Sequence, residues 1–204
     1  MDGVLFDTIE FARKSFLKKH PGMTEKMYDE LHSGNFHEEA RKYEHLKVKM
    51  SEDEARKYFK EYNRKKSESY MFEGMQKLLN DLHAGGYFLA LNTNASESNC
   101  YPLLEKAGIK DLFDFIACAE VSKDKVEKFR MIAEKFSAQK KDMVFVTDAL
   151  GDVKDAERAG VTTIAVTFGV HDRSYFEHEE HPYLMGVADT PHKLTELLHQ
   201  WLAA

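Results

Sequence analysis

Two regimes of apolar spacing divide the chain. From about Ile9 to Tyr70 apolar residues recur at helical spacing among many Lys, Arg and Glu, so the stretch reads as helices only. Its clearest start signal is Ser51-Glu52-Asp53-Glu54, a capping box in which Ser51 and Glu54 satisfy each other's free backbone donors. Ala55, Tyr58, Phe59 and Tyr62 then share one helical face, and Pro21-Gly22 and Ser33-Gly34-Asn35 divide the region into short helices. Beyond Phe72 the pattern changes. Met75, Leu78, Leu79 and Leu82 mark a helix ending at Gly85-Gly86, and continuous apolar runs predict strands at Tyr87–Asn92, Phe115–Ala119, Met143–Thr147 and Thr162–Thr167. Helix-length segments separate them. A last helix is expected from Thr190-Pro191, with Thr as N-cap and Pro in the first turn, to Trp201.

Buried strands alternating with amphipathic helices predict an α/β fold, a doubly wound, Rossmann-like parallel sheet with helices on both faces. The expected core is residues 1–8 and 71–204, interrupted by the helical insert 9–70. At roughly 60 residues, that insert exceeds most connections within a compact domain and is expected to carry function.

Charge and cysteine content narrow the setting. A net charge of -6 argues against nucleic-acid binding, which favours a basic excess, but leaves room for small anions held by a local cation or metal. Cys100 and Cys118 do not make a disulfide framework, and no metal-binding Cys/His cluster surrounds them, which is consistent with a cytoplasmic setting. No apolar run is long enough to span a membrane.

In an open parallel sheet, ligands bind beyond the carboxyl ends of the strands. Four segments lie where apolar runs stop: Asp2-Gly3-Val4-Leu5-Phe6-Asp7-Thr8, Asn92-Thr93-Asn94, the lysines Lys123 and Lys125, and Thr147-Asp148-Ala149-Leu150-Gly151-Asp152. Asp148 and Asp152 are hard oxygen ligands of the kind Mg²⁺ accepts while keeping waters and a phosphate in its shell. Thr93, with Asn94 in the following turn, offers a hydroxyl and backbone donors to a phosphate. A lysine at the start of the next helix, Lys125 or Lys123, would neutralise a transferring phosphoryl group. His178-Glu179-Glu180-His181 reads as a solvated loop rather than a zinc site.

In this order the segments resemble the motifs of the haloacid dehalogenase superfamily, in its phosphoglycolate-phosphatase-like branch with a small helical cap. Asp2-Gly3-Val4-Leu5 matches the second half of the first motif, Thr93 the second, Lys125 or Lys123 the third, and Asp148 with Asp152 the fourth. The resemblance implies that Asp2 is a general acid and base and a further metal-site residue, that Mg²⁺ is the cofactor, and that a small phosphorylated metabolite is the substrate. With an aspartate at position 2, the resemblance implies phosphoryl chemistry rather than carbon–halogen cleavage.

The family's aspartate nucleophile would lie two residues before Asp2, outside this sequence, at the end of the central strand. The chain is therefore expected to lack its first core strand, to leave the inward edges of Phe88–Asn92 and Met143–Thr147 unpaired, and to be inactive by itself. A sugar-phosphate mutase and a non-catalytic phosphate- or metal-binding protein are the rival readings. The sequence carries no signal for oligomeric state.

Overall fold

The computed structural model describes residues 1–203. The insert holds the helices α1 (Ile9–Lys19), α2 (Glu25–Glu30), α3 (Phe36–Arg41) and α4 (Glu52–Lys66), the last three of them capped by their local sequence. Thr24 and Asn35 accept backbone N–H groups at the starts of α2 and α3, and the Ser51–Glu54 capping box opens α4. Ile9, Met23, Tyr28 and Leu31 make a small apolar core, completed by Ala149 and Val170 from the far end of the chain. The insert therefore does not bury its own core unaided. It leaves and re-enters the rest of the molecule side by side, through the Phe6–Met71 bridge and the bonds from Asp7 N to Tyr70 O and from Phe72 N to Leu5 O.

The remainder alternates as expected: α5 (Met75–Ala84), β1 (Ala90–Asn92), α6 (Glu97–Lys106), β2 (Phe115–Ala117), α7 (Lys125–Phe136), β3 (Val144–Thr147), α8 (Leu150–Ala159), β4 (Thr162–Val166), α9 (Arg173–Glu177), β5 (Leu184–Ala188) and α10 (Pro191–Leu202). Every strand pairing is parallel. Strand β5 and helix α9 were not anticipated from the sequence. Gly186 interrupts the apolar run of β5, and its missing side chain gives room to Leu197 of α10, whose methyl carbons would lie 3.2–3.3 Å from an added Cβ. At β1 the ladder begins at Ala90 rather than Tyr87, because its partner starts opposite at Phe115; Tyr87 and Phe88 stay exposed.

Among the described residues the strands form two separate sheets, β1–β2 and β3–β4–β5. Strand β1 pairs only with β2, and β3 only with β4, so each keeps one edge unpaired. Between those edges lies a cavity lined by Ala90, Leu91, Asn92, Val144, Val146 and Thr147. The buried side-chain oxygen of Asn92 has no hydrogen-bond partner there. The expected pair of unpaired inward edges is thus present. No helix among the described residues is long and apolar enough to cross a membrane.

Candidate active site

The cavity has a volume of about 1150 Å³ and continues from the slot between the sheets to the carboxyl ends of β1 and β3, where it meets the insert. This exceeds the ~300–1,000 Å³ of ordinary small-molecule pockets, in keeping with a slot joined to a site. Asp2, Thr93, Asn94, Lys123, Lys125, Asp148 and Asp152, scattered over the sequence, all line it.

Asp148 follows β3 and is 7 % exposed. Its Oδ2 accepts from Val170 N at 2.8 Å, and burial pushes its carboxyl up to about 6. The surrounding backbone fits it closely: a Cβ on Gly3 would come within 2.0 Å of Asp148 Oδ2, and one on Gly169 within 2.3 Å of Asp148 Cβ. Gly3 also has φ +64, so both its conformation and its neighbour require glycine. Asp152, in the first turn of α8, accepts from Thr147 Oγ1 at 2.7 Å and pairs with Lys125 Nζ at 3.2 Å. Lys125 also donates to Asn92 O at 3.1 Å, tying α7 to the end of β1.

Lys123 is exposed at the mouth of the cavity, and its backbone oxygen accepts from Asn35 Nδ2 of the insert at 3.2 Å. Of the two candidate lysines, Lys125 is the one brought against Asp152.

Asp2 is held by two side-chain donors. Thr8 Oγ1 donates to its Oδ1 at 2.6 Å and Lys66 Nζ to its Oδ2 at 2.9 Å. Burial alone would raise this carboxyl, but the Lys66 ammonium, the amino group of Met1 and the hydrogen bonds from Lys66 and Thr8 outweigh it and hold Asp2 below the usual carboxylate range. Among the described residues no group of three or more His, Cys, Asp or Glu is placed to hold an ion. Lys66 gives Asp2 an ammonium partner. It closes α4 within a run of charged residues that resembles a solvated helix end, so nothing in the local pattern signals its burial. Lys66→Met would strand Asp2 with Thr8 alone. The expected loss is about 3 kcal/mol, at the low end for breaking a buried pair because Asp2 keeps some hydration. Urea unfolding reads that loss, and a carbon-13 titration is expected to find the Asp2 carboxyl raised.

Thr93 and Asn94 form the turn after β1. Ala95 N donates to Thr93 Oγ1 at 3.2 Å. Lys128, which is not among the residues expected from the sequence, is 0 % exposed and donates to Thr93 O at 2.7 Å and Asn94 Oδ1 at 2.8 Å. Burial, with Lys125 nearby, brings its ammonium down to about 7. Its spacing from Lys125, i to i+3 on α7, was the available signal.

The insert closes over the acidic loop by backbone contact. A Cβ on Gly151 would lie 2.3 Å from Gly34 O and 2.8 Å from Gly34 N, so glycine alone permits this approach. His171 is fully buried; its Nδ1 accepts from Leu150 N at 2.9 Å, which leaves Nε2 to donate to Asp29 O at 2.9 Å. His32 stands edge-on to it, and burial, then His171, lowers its imidazole to about 4. Gly151→Ala is expected to push residues 33–35 off the loop at a cost of about 1–3 kcal/mol. Hydrogen exchange of amides 31–41 is expected to speed up while that of β4 is unchanged.

In the HisGluGluHis run the last member is less solvated than expected: His181 Nδ1 lies 2.9 Å from Glu157 Oε1, and its side chain is buried. Cys100 and Cys118 are free and buried.

Residues 1–166 match the haloacid dehalogenase-like hydrolase family. The chain belongs to that family. Phosphoglycolate phosphatase of Nitrosospira multiformis is 34% identical over 104 residues, covering 50% of this chain and 46% of the relative. The N-acetylmuramic acid 6-phosphate phosphatase of Pseudomonas putida is 26% identical over 136 residues, 64% of this chain and 59% of the relative. The phosphoglycolate phosphatase of Agrobacterium fabrum is 33% identical over 115 residues, 55% and 49% respectively, so this chain spans about half the length of the curated relatives it matches. Among solved structures, CbbY of Rhodobacter sphaeroides in complex with phosphate superposes with a TM-score of 0.72 at 22% identity, covering 93% of this chain and 91% of that one. A haloacid dehalogenase-like hydrolase of Streptococcus pneumoniae gives 0.72 at 18% identity, covering 97% and 95%. At these identities the haloacid dehalogenase-like likeness is one of fold.

Proposed function

We propose that this haloacid dehalogenase-like chain supplies the site of a Mg²⁺-dependent phosphomonoester hydrolase for a small phosphorylated metabolite. The observation that carries the reading is the meeting of Thr93, Lys125, Asp148 and Asp152 with Asp2 around one cavity at the carboxyl ends of β1 and β3. The named activities of the relatives, on phosphoglycolate and on N-acetylmuramic acid 6-phosphate, share only the phosphomonoester, and the proposal extends no further than that class.

Displacement at phosphorus depends on positioning and on neutralising charge. Thr93 Oγ1 and the backbone donors of its turn would bind phosphate oxygens, and Lys125 would offset their charge. Asp148, a buried carboxylate with no cationic side chain bonded to it, and Asp152 are a donor set that fits a hard divalent ion, since Mg²⁺ takes one or two carboxylates with waters and substrate oxygens. That ion would polarise a phosphoryl oxygen. Asp2, kept ionised by Lys66, would take a proton from the attacking water. The insert would exclude water by resting on Gly151.

The slot between β1 and β3 has the form of a seat for one more parallel strand. A strand ending in a carboxylate two residues before Asp2 would supply the nucleophile at the head of the slot, and the domain division at 1–8, 9–70 and 71–204 would then separate core from cap.

Titration with inorganic phosphate and Mg²⁺, followed by amide chemical shifts, tests the site. Shifts confined to Thr93–Ala95, Lys125 and Asp148–Asp152 are expected; shifts elsewhere only, or none at millimolar phosphate, would refute the reading.

A further inference from the structure

The turn after β1 is held from behind. In a trans peptide the C=O and the following N–H lie in the peptide plane and point in opposite directions, and the described residues contain no cis bond. At the end of β1, two successive carbonyls are taken by two lysines of one helix: Asn92 O by Lys125 at 3.1 Å, and Thr93 O by Lys128 at 2.7 Å. Capture of Thr93 O aims the next donor, Asn94 N–H, away from α7. That N–H finds no acceptor among the described residues. Lys128 also holds Asn94 Oδ1 at 2.8 Å, which keeps the Asn94 side chain turned back toward α7. Thr93 and Asn94 both line the cavity, whereas Lys128 does not.

A fully buried lysine is expensive to keep, and one that merely filled space would be replaced without loss by an apolar residue. Here it meets two oxygens of a single turn and leaves one backbone donor free on the opposite side. We infer that Lys128 is a positioning residue for anion binding, fixing the Thr93–Asn94 turn so that the Asn94 N–H points at a phosphate oxygen while Lys125 supplies charge from the next turn of the same helix. The inference rests on the phosphate reading of the site and adds a residue that touches no substrate. Asn94 then serves in two ways, its side chain anchoring the turn and its main chain contacting the ligand.

The test uses the full chain with inorganic phosphate as probe. Dissociation constants come from calorimetry, and the Asn94 amide shift from nitrogen-15 spectra, for the parent, Lys128→Met and Lys128→Gln. Met matches the stem without a donor; Gln restores a donor without charge. The expected result is at least tenfold weaker phosphate binding and loss of the phosphate-dependent Asn94 shift in Lys128→Met, with Lys128→Gln recovering most of both. Parent-like binding and an intact Asn94 shift in a folded Lys128→Met protein would overturn the inference and leave the phosphate reading standing. Equal losses in Met and Gln would overturn it as well, since charge rather than position would then be what Lys128 provides. Should Lys128→Met fail to fold, Asn94→Ala, which removes one of the two anchors, is expected to weaken phosphate at least threefold; unchanged affinity there counts against the inference. Failure of the parent itself to bind phosphate would refute the underlying reading instead.

Discussion

Asp148→Asn is expected to stabilise the protein by about 2 kcal/mol at pH 7.5 in the absence of divalent cations. Burial holds the folded carboxyl at about 6, above the ordinary value near 3.8, so the native state binds the proton more tightly than the unfolded chain does. Between those two values stability falls as pH rises, and above about 6 the full penalty of an ionised buried carboxylate remains. Asn removes the charge and can still accept from Val170 N between the two glycines. The gain is therefore expected to be absent near pH 3, to grow through pH 4–6 and to level off above. Urea unfolding across that range reads it. Adding Mg²⁺ is expected to stabilise the parent and not the variant, so that the order reverses with the ion present. A variant less stable than the parent at pH 7.5 without cations would show that Asp148 is satisfied by the protein alone.

The second large effect concerns the slot. Extending the chain by about five apolar residues, with Asp as the last before Met1, is expected to raise the melting temperature on the order of 10 °C. The new strand would pair with both open edges, contributing about 0.5–1.5 kcal/mol for each net hydrogen bond. Its side chains would bury against Leu91, Val144 and Val146 at about 1.5–3 kcal/mol apiece, and ordering the segment would cost about 1–2 kcal/mol per residue. An extension ending in Asn is expected to give the same melting temperature, which separates filling the slot from supplying the carboxylate. A melting temperature unmoved by either extension would mean that the slot is not a strand seat.

Strand positions were legible because buried parallel strands are continuous apolar runs, and the acidic pair, Thr93 and Lys125 because each follows where such a run stops. What escaped depended on contacts remote in sequence. Lys66 sits 64 residues from Asp2 and reads as one more charge on a polar helix; only the fold turns it inward. Lys128 reads as an ordinary helical lysine until β1 is laid beside α7. Strand β5 was hidden by Gly186, whose reason is Leu197 from another element.

Hydrolysis of an aryl phosphate by the Asp-ending extension, with and without Mg²⁺, tests the central claim most directly. Turnover that requires Mg²⁺, is absent from the Asn-ending extension and is lost in Asp148→Asn is the result expected of a phosphomonoester hydrolase site. A well-folded Asp-ending protein that turns over neither the aryl phosphate nor any of a broad set of small phosphomonoesters would contradict it.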